Sequence, residues 1–178
     1  MNHSSPSPSF CESEQYPMME PPNRGARLFN TPFENMLRAI LLLDAVSRPL
    51  NIDRIAAYDF LCIYGKTWGV LDKNLHGDNR FSFAEYRRKR EVMREATALA
   101  VKYCLINVVP SAKGIEYEVN PRGTKLMGSI VSTYASEYRD FASSVNNCFQ
   151  NITDEALLSF IKKGAEESEV GEYAELLD

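Results

Sequence analysis

Between Glu85 and Leu126 the hydrophobic pattern changes from helical spacing to strict alternation and back again, an order few folds accommodate. Leu105–Val109 and Ile115–Val119 read as the arms of a hairpin. Pro110-Ser111-Ala112-Lys113-Gly114 connects them, and its glycine can take positive φ at no steric cost. In the second arm Ile115, Tyr117 and Val119 share one face, and Glu116, Glu118 and Asn120 the other. Asn120-Pro121 then reads as an N-cap followed by proline at the first helical position.

Helix, two-stranded hairpin, helix is the order of a winged-helix domain. The expected fold is mainly α: a winged-helix-like domain with a two-stranded β wing and additional C-terminal helices. Domains of this kind bind nucleic acid or other proteins and seldom carry out chemistry. The flanking segments fit the same frame. Thr31-Pro32-Phe33-Glu34 forms a capping box, and the helix it opens has Phe33, Met36, Leu37, Ile40, Leu41 and Val46 at helical spacing before Pro49. A short extended piece, Leu50–Asp53, precedes a second helix over Asp53–Tyr64 that is apolar nearly all round and closed by Gly65. A third helix is expected from Ser82 to about Tyr103, with Glu85 at N3. Residues 65–82 lack periodicity and hold the single tryptophan. Such long connections are uncommon inside compact domains.

Beyond the hairpin, Pro121 opens a helical region to about Phe149, with a break near Ser132-Thr133. Leu126, Met127, Ile130, Val131, Tyr134, Tyr138, Phe141, Ala142 and Val145 line one stripe of it, which needs a surface to cover it. Thr153 caps a last helix over Asp154–Lys163, ended by Gly164. The expected organisation is a disordered Ser/Pro/Glu-rich leader over 1–28, the winged-helix-like domain with its long C-terminal helix over 29–150, and a terminal helix with an acidic tail over 151–178.

The 178 residues, 44% hydrophobic, suffice for one globular domain with appendages. The net charge of −4 argues against a dedicated nucleic-acid binder, but it is unevenly spread. Residues 154–178 hold eight acidic side chains and two lysines. Taken from totals of 24 acidic and 20 basic, that leaves 16 acidic against 18 basic in the rest. Cys11, Cys62, Cys104 and Cys148 are far apart, with no C-x-x-C or paired histidines, so neither a metal site nor any cofactor is expected. Three of them fall in apolar patterns and read as buried free thiols suited to a reducing cytoplasm. No signal segment or membrane span is recognisable, and a cytoplasmic location is expected.

Arg87-Arg88-Lys89-Arg90, with Arg94 a turn later, is the strongest electrostatic feature. In a winged helix the helix before the wing can enter a major groove, so these five residues are candidate phosphate contacts. Interleaved Glu85, Glu91 and Glu95, which can pair with these cations, and glutamates on the wing where lysines would serve DNA better, favour instead a solvated helix face or a protein-binding rim. Trp68, Tyr117, Tyr134, Tyr138 and Phe141 are candidate partner contacts, with Trp68 either a loop anchor or an interface residue. His76 has no second histidine in the ordered region and reads as loop packing. Gly65-Lys66-Thr67 resembles the end of a phosphate loop but lacks the upstream glycine and follows a helix. No constellation for catalysis is present, and the chain is not expected to be an enzyme.

The stretches NTPFENMLRAILLLDAV, IAAYDFLCIYG, RFSFAEYRRKREVMREATALAVKYCLI and GIEYEVNPRGTKLMGSIVSTYASEYRDFA resemble the middle component of bacterial three-component systems built around an SMC-like ABC ATPase. The Lamassu anti-phage defence systems are among these. The resemblance spans roughly residues 29–163 as a whole-segment pattern. It departs in the middle loop, VLDKNLHGDN, where relatives often have a Gly-Pro-rich run. It implies a non-catalytic subunit bridging the ATPase heads and an effector, commonly a nuclease, with non-specific contact to double-stranded DNA. The competing reading is a stand-alone winged-helix transcriptional regulator, a dimer with sequence-specific DNA affinity.

Overall fold

The structure, a computed structural model, describes residues 31–79 and 81–175, with side chains in the last helix as far as Ala165. The expected leader at residues 1–28 and Cys11 lie outside the described residues. Six helices and three short strands follow in the order α1 (Pro32–Val46), β1 (Leu50–Asn51), α2 (Ile52–Tyr64), α3 (Ser82–Lys102), β2 (Ile106–Ser111), β3 (Gly114–Val119), α4 (Pro121–Ser129), α5 (Thr133–Phe149) and α6 (Asp154–Glu175) among the described residues. The architecture is mainly helical with a small antiparallel sheet.

The caps that start these helices are local and form as the sequence implies. Thr31 N–H donates to Glu34 Oε2 at 2.9 Å while Glu34 N–H donates to Thr31 Oγ1 at 3.2 Å. Asn120 Oδ1 accepts from Arg122 N–H and Gly123 N–H, both at 3.0 Å. Ser132 Oγ accepts from Ala135 N–H and starts α5 after a break at Ile130–Ser132. Asn51 caps α2 through Arg54 N–H, so the helix starts at Ile52, one residue before the expected Asp53. The expected cap of α3 is absent: its N-cap is Phe81, and Glu85 instead accepts from Tyr64 Oη at 2.9 Å and Asn79 Nδ2 at 2.8 Å. The acid is spent on tying the long loop to α3.

In the sheet Ile106 lies opposite Val119, Val108 opposite Tyr117 and Ser111 opposite Gly114, leaving Ala112-Lys113 as the turn. Gly114, at φ 114, takes the backbone conformation that side chains disfavour. The ladder thus runs farther toward the tip than the expected arms. It also gains a third strand: Leu50 pairs with Tyr117 and Asn51 with Glu116, giving the order β1-β3-β2. Residue spacing reveals a hairpin, whereas β1 joins from far along the chain and buries Leu50. Pro110, which lacks an N–H, is accommodated because β2 is an edge strand.

Helix α2 forms the centre, buried at every residue from Arg54 to Tyr64. α1 packs on α3, α5, α4 and α2, and α6 on α2. The stripe after the hairpin is therefore split. Met127, Tyr138, Ala142 and Val145 fold back into the core, while Val131 at the break is 94% exposed. α6 runs through Gly164 instead of ending there, as described below. Of the cysteines expected to be buried, Cys62 is, Cys104 is half-buried and Cys148 is exposed on the outer side of α5.

One polar cluster sits inside this core. Asp59 of α2 is fully buried, and Arg38 of α1 donates to it from Nε at 2.9 Å and Nη2 at 3.3 Å. Lys89 Nζ of α3 lies 3.0 Å from Oδ2, and Tyr138 Oη of α5 donates to Oδ1 at 2.7 Å. Arg38 Nη2 also donates to Asn35 Oδ1 at 2.6 Å. Burial alone would raise the Asp59 carboxyl, but the cations Arg38 and Lys89 outweigh it and hold the group well below the usual carboxylate range.

Removing one member of a buried charged set leaves the others uncompensated, typically a loss of about 3–5 kcal/mol. Asp59→Asn, which keeps the size and removes the charge, is expected to lose about that much unfolding free energy in urea at pH 7. Because the folded carboxyl's pKa is depressed, its stabilisation is complete above the unfolded value of about 4 and is lost as pH falls below it. The gap between wild type and Asp59→Asn should therefore narrow below pH of about 4; a constant gap down to strongly acid pH would locate the effect in packing, not charge.

Candidate partner-docking surfaces

Four consecutive basic residues cannot share one face of a helix, since each step turns by about 100°. In α3 they separate. Lys89 turns inward to Asp59, which corrects the expectation that it offers its charge to a nucleic acid. Arg87, Arg88, Arg90 and Arg94 are exposed. Arg90 is paired with Asp53 of α2 and Arg94 with Glu91 in its own helix. The Arg87 guanidinium lies 6.0 Å from the Phe83 ring centre. Among the described residues Arg88 alone of the five has no ionic or ring partner in the structure.

Beside this face a groove of about 460 Å³ runs between α2, α3 and α6. Ala56, Phe83, Tyr86 and Leu158 line its apolar part, and Asp53, Arg87, Arg90 and Lys162 its polar part. The Phe83 and Tyr86 rings stack at 6.1 Å. Burial, helped by the charge of Asp53, pushes the Tyr86 hydroxyl up to about 12, so it stays protonated. Phe81, just before α3, is 69% exposed.

A second cleft, of about 610 Å³, opens where α1 meets the α4–α5 break. Leu37, Leu41, Leu75 and Ile130 line it, with His76 and Tyr134 at its polar end. His76 Nε2 and Tyr134 Oη are 2.9 Å apart and their rings stack at 5.9 Å. Burial and the nearby Arg38 charge lower the His76 pKa, and burial pushes the Tyr134 hydroxyl up to about 12. The long loop that carries His76 is held by Asn74, whose side chain accepts from Lys66 N–H at 3.0 Å and donates to Thr67 Oγ1 and Asp78 Oδ1.

The five aromatic candidates have different fates. Tyr134 stands at the mouth of this cleft and is exposed. Phe141 is half-buried, with Lys73 Nζ 5.9 Å from its ring centre. Tyr117, on β3, is half-buried against the core. Tyr138 is fully buried on Asp59, so it holds the fold instead of a partner. Trp68 is buried too: its Nε1 donates to Ile161 O of α6 at 3.0 Å.

Two contacts that hold α6 were not foreseen from the sequence, in which Arg54 was not singled out and Gly164 read as a helix stop. Arg54 donates to Asp154 Oδ1 at 2.6 Å, Phe149 O at 2.9 Å and Ile152 O at 2.7 Å, clasping the α5–α6 turn. Gly164 lies under the Trp68 indole, where a Cβ would come within 2.5 Å of Nε1. Charged residues within the largely apolar α2 were the available signal for Arg54 and Asp59 alike. Glycine to alanine within a helix ordinarily stabilises by up to about 1 kcal/mol. Gly164→Ala is expected to do the reverse, lowering stability by about 1–3 kcal/mol through overpacking. The emission of the single tryptophan should shift to the red; a more stable variant with unchanged emission would show that α6 does not press on Trp68.

Among the described residues no helix is long and apolar enough to cross a membrane, and no group of three or more His, Cys, Asp or Glu side chains is placed to hold a metal ion. No curated protein and no solved structure matches the chain. A family model, Middle Component 2 of ABC-three component (ABC-3C) systems, matches residues 28–170, which takes in every strand and helix up to most of α6. With most of its length matched, the chain belongs to the Middle Component 2 family of ABC-three component systems.

Proposed function

We propose that this protein is a non-catalytic adaptor in a complex with an SMC-like ABC ATPase, bridging the ATPase heads and an effector nuclease in anti-phage or anti-plasmid defence of the Lamassu type. The observation that carries the reading is membership in a family of middle components, whose description already implies partner subunits. The fold supports it. The order α1-β1-α2-α3-β2-β3, with β3 between the other two strands, is the one expected of a winged helix, and we read it so. The polar groups of the core are engaged in holding helices together, and the surface features are apolar clefts flanked by charge.

Contact with double-stranded DNA enters this proposal in a reduced form. Of the five basic residues expected at phosphates, one is buried and two are paired with carboxylates, which leaves Arg87 and Arg88. Two phosphate contacts supply little affinity alone, so DNA would be held by the assembled complex and not by this subunit. The pairing also disfavours a stand-alone regulator, which would need a tight specific interface of its own.

Co-expression with the ATPase and effector encoded beside it should yield one co-eluting complex by size-exclusion chromatography; a chain that stays monomeric in their presence refutes the adaptor reading. In that complex, Arg87→Glu with Arg88→Glu should weaken DNA binding and reduce the slope of log affinity against log salt by about 2. An unchanged slope would confine the two arginines to protein contacts.

A further inference from the structure

The groove between α2, α3 and α6 combines an apolar floor with a rim of one dominant sign, and neither feature is used by the fold's own ion cluster. Phe83 and Tyr86 form one wall, Leu158 of α6 the other, and Ala56 of α2 leaves room at the bottom. Around them stand Arg87, Arg90 and Lys162, against the single carboxylate of Asp53, which Arg90 already neutralises. We propose that this groove seats an acidic amphipathic helix of a partner subunit. The inference rests on the adaptor reading and deepens it by naming the chemistry of one partner.

The physical argument has three parts. A duplex would gain only salt-dependent phosphate contacts from the rim and would meet an aromatic floor that offers phosphate nothing. A strand cannot be added here, because every wall is helical and has no free backbone ladder. A helix, in contrast, presents apolar anchors at i, i+3 or i+4 and i+7 to such a floor, while acids on its flanks meet the cations. Lys162 is exposed on the opposite wall from Arg87, so the two charges bracket the floor. Arg87 belongs to both the groove rim and the DNA contact proposed above, whereas Arg88 does not line the groove and Lys162 is not part of that contact, so these two residues separate the roles.

The test uses the full chain co-expressed with the ATPase and effector encoded beside it. Leu158 is replaced by the photo-reactive p-benzoylphenylalanine, and the cross-linked peptide is identified by mass spectrometry. The expected product joins Leu158 to a partner segment with apolar residues at helical spacing flanked by Asp and Glu. Lys162→Glu should weaken association about tenfold at low salt and less at high salt, since rim charges act mainly through screened attraction. Far-ultraviolet dichroism and the thermal midpoint of the lone variant check that this exposed change leaves the fold intact. A complex that assembles without the cross-link, or that binds Lys162→Glu as tightly as wild type, overturns the groove while the adaptor reading stands. Cross-linking to DNA, or to a second copy of this chain, overturns it equally. Failure of any complex to assemble removes the adaptor reading and the groove with it.

Discussion

The carboxylate of Asp59 is reached by side chains from three other helices: Arg38 from α1, Lys89 from α3 and Tyr138 from α5. A charge removed from water is costly unless it is paired and fully hydrogen-bonded, and Asp59 is both. That requirement fixes geometry. α1 can slide along α2 only by pulling Arg38 from its carboxylate, and α3 can turn only by drawing Lys89 off it and exposing Met93 and Ala96. The aliphatic core would tolerate several registers; the ion cluster admits one. The grooves at the surface inherit part of their shape from this restraint, through the walls that α1, α2, α3 and α5 supply, while α6 is set separately by Arg54 and Trp68.

The division of labour among the charged residues follows from helix geometry. Lys89 interrupts a basic run and is drawn inward, so that Arg87, Arg88, Arg90 and Arg94 are the exposed cations of that stretch of α3. Two of these are balanced by carboxylates, Asp53 across the α2–α3 contact and Glu91 along the helix. The outer face is accordingly far less positive than a string of four basic letters suggests. A moderate field beside an apolar groove suits selective docking of protein, where a strong uniform one would draw any polyanion.

Much of the local structure was legible because its causes are local. The Thr31 box, the Asn120-Pro121 start, the Ser132 break and the Gly114 turn each depend on a few adjacent residues, and each formed as its residues imply. What stayed hidden depends on distant partners. Gly164 reads as a helix stop until the Trp68 indole is seen lying on it. Glu85 reads as a cap until Tyr64 and Asn79 claim it. Tyr138 reads as a candidate partner contact until Asp59 draws it inside. For the candidate surfaces, the arginines were visible as a cluster, but the groove was not, since α2, α3 and α6 contribute to it from separate parts of the chain.

The open edge of the sheet has a consequence for how the hairpin meets other proteins. An unpaired strand invites a neighbouring chain to continue the ladder, and β2 is such a strand. Pro110 removes one amide donor near its tip, and the strand is short, so an incoming backbone would find an incomplete row of partners. The hairpin can therefore be handled by other proteins through its side chains without becoming a seed for indiscriminate sheet growth, a useful property in a component of a multi-component system.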